Sequence, residues 1–343
     1  MANYAASVLA KAQVMLNDRF QAAEMRQKPS AVLMALLKNR DFLIPDLIML
    51  RDREDRATKA YLKKRASRAV TNSRTHNHSG STADSQEVNI AWTPYTDKFQ
   101  TSLKRGDNNV LNDAEILAHE LENAFINLHE GIETALVAWL DANNNQVSNP
   151  PSGTLKRATF NGANDVYEIA TADQNEFWNI LKSVFRQEKY NGGLFDVVAD
   201  SQLFSKGEYQ SNQGGGNSTN LGFQFNGLDV RESIETGDAD YLNGLAFAWP
   251  MGMAGILDWI PKQNRAGEGD IMSVLGGFSS IVDPMSGLTF ALHGYSERGD
   301  TSGANGNTQD VVTEWEISLD LSPQYAPIST SNQTPIFEFG IPT

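Results

Sequence analysis

The strongest constraint on this chain is one unbroken amphipathic stretch. Ala114, Leu117, Leu121, Ala124, Phe125, Leu128, Ile132, Ala135, Leu136 and Trp139 recur at three- and four-residue steps, the spacing that lines side chains along one helix face. Ahead of them, Asn112-Asp-Ala-Glu115 has the form of a capping box. The pattern predicts a helix over 112–140, roughly 40 Å long. Gly131 inside it is a place to bend, because glycine costs about 1 kcal/mol relative to alanine in a helix interior. Such a helix is a beam, longer than most globular helices, and the rest of the fold has to be built along it.

What precedes the beam is helical and then charged. Ala5, Val8, Leu9, Ala12, Met15, Leu16 and Phe20 predict a first helix; Pro29 breaks the pattern and Ser30 caps a second, short one through Leu36-Leu37. The apolar run 42–50 is interrupted by Pro45 and does not read as one element. Residues 51–74 are dense in charge, with Lys63-Lys64-Arg65 and Arg68, and pass into a polar run over 73–82. Val88, Ile90 and Trp92 then alternate with polar neighbours as a half-buried strand ending at Pro94. Two extended arms around a polar tip predict a long projecting loop, and a connection of that length without its own core is usually functional or disordered.

Beyond the beam the pattern is mixed. Val166–Ala170 reads as a strand, Asp173 as the cap of a helix through Phe177, Ile180, Leu181, Val184 and Phe185, and Leu194–Ala199 as a buried strand after Gly192-Gly193. Gln210–Asn220, with Gly214-Gly-Gly216, reads as a flexible loop. Thr313, Trp315, Ile317, Leu319 and Leu321 alternate with polar residues as a strand with one wet face. Its expected partner is Leu288–Leu292, and Ile336–Ile341 is the last strand. There is no solenoid-type repeat.

The net charge of −14 is unevenly spread: residues 1–75 hold 15 Lys/Arg against 7 Asp/Glu, and residues 76–343 hold 13 against 35. A basic arm on an acidic body suits contact with a polyanion, contact with the acidic body of a neighbouring copy, or a plain solvated helix surface. The chain has no cysteine, which removes thiol catalysis, disulfides and cysteine-ligated zinc. No run approaches the ~20 apolar residues of a membrane span, and the N-terminus lacks the basic leader and apolar core of a signal peptide. A soluble protein made and used in cytoplasm is expected.

Chemical motifs fail on inspection. His119-Glu120 and His129-Glu130 invite a zinc-protease reading, but the second histidine would have to stand at 123 or 133, which are Asn and Glu. Surface or interface histidines are expected instead. His76 and His78 in a polar loop point to no function. Asp141-Ala-Asn-Asn-Asn145 resembles a calcium loop without its turn glycine (Gln146) and bidentate glutamate (Ser152). Gly294-Tyr-Ser-Glu-Arg-Gly299 is not a hydrolase elbow, and Gly214-Gly-Gly216 is not a phosphate loop. Trp249, Trp259 and Trp315 are expected in the core. No catalytic, cofactor or metal residue is assigned, and an enzyme is the least favoured class.

The order of parts is basic helical arm, charged two-armed loop, long helix, mixed section with glycine-rich loops, and returning strands. In the arm 1–50, the loop 51–95, the helix 112–140 and the strands 311–321 and 336–341, the chain resembles the major capsid proteins of tailed phages, whose fold encapsulin nanocompartments share. The resemblance implies an α+β phage major capsid fold: an N-terminal arm (1–50), an extended two-stranded loop (51–95), a peripheral domain with its spine helix (96–172), an axial domain (173–285) holding Ala246-Phe-Ala-Trp-Pro250, and peripheral-domain strands with the C-terminus (286–343). It implies a subunit repeated as hexamers and pentamers in an icosahedral shell around phage DNA, in the virion. Minor capsid, decoration, scaffold and portal proteins are the partners it brings, and no membrane. Lys59, Lys63, Lys64, Arg65 and Arg68 are the expected contacts between copies, and Lys11, Arg19 and Arg26 the expected DNA-facing residues. An encapsulin-like compartment and a β-rich tail or adhesin protein are the alternatives.

Overall fold

A computed structural model describes residues 2–22, 29–38, 40–44, 46–63, 72, 74, 85–102, 110–144, 158–187, 190, 193–213, 222–225, 227–265, 276–300, 309–327 and 334–343. The chain opens with α1 (Ala2–Gln21) and the short helices α2 (Ala31–Leu37), α3 (Arg40–Leu43) and α4 (Leu47–Arg51). As expected, Ser30 caps α2, its Oγ accepting the Leu33 N–H at 3.1 Å. The predicted interruption near Pro45 falls between α3 and α4. Strands β1 (Lys59–Lys63) and β2 (Ser85–Asn89) form an antiparallel hairpin, the described part of the two-armed loop. The chain continues through β3 (Thr93–Ser102) into α5 (Val110–Ala142).

Helix α5 is the predicted beam. It has 33 residues, about 50 Å at 1.5 Å per residue. It begins before Asn112, so that residue lies inside the first turn and does not cap the helix. It also runs unbroken through Gly131. All the residues of the predicted stripe are buried or half-buried.

Next come β4 (Ala158–Asn161), β5 (Val166–Ile169), a 3₁₀ turn (Thr171–Glu176), α6 (Phe177–Gln187), β6 (Phe195–Ala199), α7 (Ser201–Gln213), β7 (Gly222–Phe225) and β8 (Leu228–Glu232). Asp173 lies within the 3₁₀ turn, not at a helix cap. Residues 210–213, expected in a loop, extend α7. The remaining strands are β9 (Leu245–Pro250), β10 (Ala254–Trp259), β11 (Gly276–Val282), β12 (Thr289–Asp300), β13 (Gln309–Tyr325) and β14 (Phe337–Gly340).

The strands form two large sheets. One runs β10-β13-β12-β11, with β3 also paired to β13. Its register sets Leu292 opposite Ile317, the predicted pairing. Pro94, expected to end a strand, lies within β3 opposite Asp320. It is tolerated because β3 pairs only with β13 among the described strands, and an edge strand does not need every N–H. The second sheet runs β4-β5-β14-β9-β6-β8-β7. Strands β9 and β10 are joined by Met251-Gly252-Met253, so one tight turn carries the chain between sheets; Gly252 takes φ +76° there.

The sheets cut across the predicted boundaries. Strand β14 belongs to the second sheet and not with β13, β4 and β5 join it from the N-terminal side, and β10 and β11 belong with β13. Two large cores hold the sheets, and the first also takes Val198, Phe247 and Trp249 from the second sheet. One core joins Val8, Ala12 and Leu16 of α1, Leu33 and Leu36 of α2, the stripe of α5, and Phe290, Ile317 and Leu319. The other packs Phe177, Leu181 and Phe185 of α6 on Val197, Ala248 and Phe339. Helix α1, the first part of the expected N-terminal arm, therefore docks along α5 of the same chain. A patterned apolar face gains most by burying itself on the nearest matching stripe.

Candidate assembly surface

Lys59 opens β1 and pairs with Glu87 of β2, whose carboxylate also accepts the Tyr61 hydroxyl at 3.1 Å. The Lys59–Glu87 hydrogen bond holds Lys59 above its ordinary pKa and, with the Tyr61 bond, Glu87 below. Lys63 ends β1 opposite Ser85; its side chain, and Lys64, Arg65 and Arg68, lie outside the described residues. Of the expected DNA-facing residues, Lys11 is exposed on α1, Arg19 pairs with Glu122 of α5 at 3.0 Å, and Arg26 lies outside the described residues.

Part of the basic charge of the first quarter is answered within the chain itself. Lys38, at the end of α2, pairs with Asp229 of β8 and stands 3.7 Å from Asp196 of β6. Burial pushes the Asp196 carboxyl up to about 6 although Lys38 pulls it back. Arg40 and Arg51 converge on the buried Asp258 of β10 at 2.6 and 2.8 Å. Arg56 reaches Asp320 of β13 at 2.6 Å and stacks 5.6 Å over the Trp259 ring. Guanidinium pairs on buried carboxylates are strongly coupled to packing, because removing one partner leaves an uncompensated charge. Four of the fifteen basic residues of 1–75, Lys38, Arg40, Arg51 and Arg56, thus strap 38–56 onto the two sheets.

Most exposed residues of that strap are charged, but α4 also presents two large apolar side chains to solvent. Leu47 and Leu50 of α4 are buried, while Ile48 and Met49 are 74 % and 71 % exposed, and Phe42 and Tyr61 are exposed as well. Helix α4 stands as a ridge between two grooves of about 400 and 390 Å³. Ile48 lines one with Trp259, Arg265 and Val282; Met49 lines the other with Ile44, Arg53 and Tyr61. Single exposed apolar residues are ordinary, but a contiguous group marks contact surface. Sequence reading missed it, since an apolar run interrupted by proline does not tell which side faces out.

Two buried polar clusters lie beneath. His129, expected at a surface or interface, is buried on α5: its Nδ1 accepts the Ser30 N–H at 3.2 Å and its Nε2 faces Asp283 Oδ2 at 2.9 Å. Glu133, one turn on, accepts the Ser30 hydroxyl and, at 3.1 Å, the Val32 N–H. Serine, histidine and aspartate meet here, but Ser30 Oγ points to Glu133 and not to the imidazole. With all of them buried, the cluster is a joint between α2, α5 and the β11–β12 turn. The second cluster centres on Glu338 of β14, buried, whose Oε2 accepts Asn144 Nδ2–H at 2.7 Å from just beyond α5. Burial pushes its carboxyl up to about 8; Asn144 pulls back, while Asp141, Asp238 and Asp165 push further. Among the described residues no group of acidic and histidine side chains is set to hold a metal ion, and no helix is long and apolar enough to cross a membrane.

No protein-family model matches the chain, and no curated protein matches it. Solved structures do. The cyanophage A-1(L) capsid asymmetric unit matches with a TM-score of 0.51 over 91 % of this chain and 93 % of that one, at 11 % identity. The chain has the phage capsid fold. Structures from Mycobacterium phage Che8 (TM-score 0.47, 8 % identity, covering 88 % of this chain and 90 % of that one) and Gordonia phage Cozz (0.44, 13 %, 92 % and 88 %) are also similar. The capsid fold covers 91 % of this chain. It is the α+β fold that the long helix and returning strands imply.

Proposed function

We propose that this chain is a structural subunit that self-assembles into the closed icosahedral shell enclosing phage DNA. The observation that carries the reading is the near end-to-end fold match to a cyanophage capsid asymmetric unit. Hexamers and pentamers of the subunit build the shell, the virion is its final location, and assembly takes place in the host cytoplasm. Portal, scaffold, decoration and minor capsid proteins are its partners in that setting.

In this reading the α5 half, with the β13 sheet, is the peripheral domain, and the β9 sheet with α6 and α7 is the axial one. The β1–β2 hairpin extends over a neighbouring copy, with Lys63, Lys64, Arg65 and Arg68 setting register by charge. The Ile48–Met49 ridge is covered by a second copy, because a shell must bury its contiguous apolar surface. Lys11, exposed on α1, is the remaining described candidate for nonspecific contact with DNA phosphates; the charge of Arg19 is committed to Glu122.

Negative-stain microscopy of the purified protein tests the reading. Uniform shells or ring-shaped capsomers support it, and a persistent monomer overturns it. Particles recovered from infected cells should carry DNA; a protein cargo in its place would favour the encapsulin-like alternative.

A further inference from the structure

The two ring nitrogens of His129 have partners of opposite polarity. Nδ1 accepts the Ser30 N–H at 3.2 Å, and Nε2 faces the Asp283 carboxylate at 2.9 Å. Only a neutral ring with its hydrogen on Nε2 fits both. A second proton would have to enter at Nδ1, where it would point at the hydrogen of Ser30. The ring is 3 % exposed, so water does not stand in as acceptor there.

Another acceptor lies beside it. Glu133, one turn further along α5, receives the Ser30 hydroxyl and the Val32 N–H on Oε2. Its Oε1 is buried and has no hydrogen-bond partner among the described residues, an arrangement that is costly and uncommon. Residues four apart share a helix face, and the ring and this carboxylate both touch Ser30. We propose that His129 is an acid-sensitive catch: a proton taken on Nδ1 turns the ring from the Ser30 N–H to Glu133 Oε1 and lets go of the start of α2. Ser30 is the N-cap of that helix, so acid loosens α2 from α5. The catch lies within one chain and does not depend on shell formation.

The charged groups around this joint come from several elements. Asp283, on the β11–β12 turn, lies below its ordinary 3.8 and keeps its charge in mild acid. Helix α1 turns Val8, Ala12 and Leu16 to the core beside α5, and its Arg19 is paired with Glu122. Asp97 of β3 accepts from Asn127 on the exposed side of α5. Phe290, Ile317 and Leu319 of β12 and β13 are apolar. At the far end of α2, Asp196 stands 3.7 Å from Lys38, and burial pushes its carboxyl up to about 6. It therefore titrates in the same range and needs a control.

Hydrogen exchange over 29–37 of the full chain, corrected for the intrinsic pH dependence, tests the catch from about pH 8 to about pH 5, where histidines change charge. The wild type should exchange roughly three- to tenfold faster at the acid end, the worth of one buried hydrogen bond, with 117–128 of α5 unchanged. Glu133→Gln keeps an acceptor for Ser30 and Val32 but puts an N–H₂ where the free oxygen was, so its α2 should stay protected. Equal loss in both proteins assigns the effect to Asp196 and overturns the catch, as does no loss in the wild type. Should the variant not fold, the ¹⁵N signals of the His129 ring in the wild type decide. Protonation of Nδ1 must accompany the loss of Ser30 amide protection, and an Nδ1 that stays bare while α2 opens overturns the proposal.

Discussion

His129 and Asp283 meet at 2.9 Å between Nε2 and Oδ2, and the proton on that bond is fixed by a third residue. Because Nδ1 accepts the Ser30 N–H, the imidazole is the neutral tautomer carrying its hydrogen on Nε2, and it donates to the carboxylate. Burial pushes Asp283 up, but the bonds from His129, Ser286 and the Met285 N–H overcome it, and the carboxyl lies below its ordinary 3.8. Its stabilisation is therefore present above 3.8 and lost as pH falls through the folded value.

Replacing His129 by Leu strips a buried carboxylate of one partner and leaves the Ser30 N–H unpaired. The expected cost is about 1–3 kcal/mol or more, read by chemical denaturation. With the imidazole gone, Asp283 loses a bond that holds its carboxyl down, so the variant should lose less stability than the wild type as pH falls below 3.8. An unchanged acid limb would contradict the assigned bond.

Asp258 is the anchor of the strap. Asp258→Asn leaves Arg40 and Arg51 without their shared charge, and residues 40–56 should detach before the cores do. Limited trypsin digestion should cut at Arg51, Arg53 and Arg56 faster than in the wild type, with the α5 core intact. Equal rates would show that packing alone holds the strap.

Two glycines should respond in opposite directions. A Cβ at Gly131 meets nothing within 4 Å, so Gly131→Ala should stabilise by about 1 kcal/mol through helix propensity. At Gly340 the added carbon would run into the Tyr241 ring; Gly340→Ala should cost about 1–3 kcal/mol through overpacking. Thermal denaturation of both variants tests the pair.

The Ile48–Met49 ridge separates folding from assembly. Both side chains stand in solvent within the subunit, so a double replacement by Ser should leave circular dichroism and melting temperature unchanged within about 0.5 kcal/mol. Sedimentation should show assembly abolished or strongly weakened. Shells of normal yield would place the subunit contact elsewhere.

The sequence made the single-chain periodicities legible. The stripe from Ala114 to Trp139 shows the long helix, and the alternation from Thr313 to Leu321 shows β13 with its partner. It did not show which sheet a short strand joins. Phe337–Gly340 is too brief to carry register, and its placement between β5 and β9 is decided by packing against α6. Nor did it show partners far apart in the chain. Arg40 finds Asp258 and Ser30 finds His129 only once α2 and α3 have docked. The excess of basic residues in 1–75 was plain, yet whether it faced a neighbour, DNA or its own body depended on those contacts.

The most direct test of the account is cryo-electron microscopy of the purified, self-assembled protein. Closed icosahedral particles are expected, whose repeating unit shows α5 over 110–142 beside the β13 sheet, with the α4 ridge covered by a neighbouring copy. A protein that sediments as a monomer at every concentration and salt tried, and gives no particles on the grid, would contradict it.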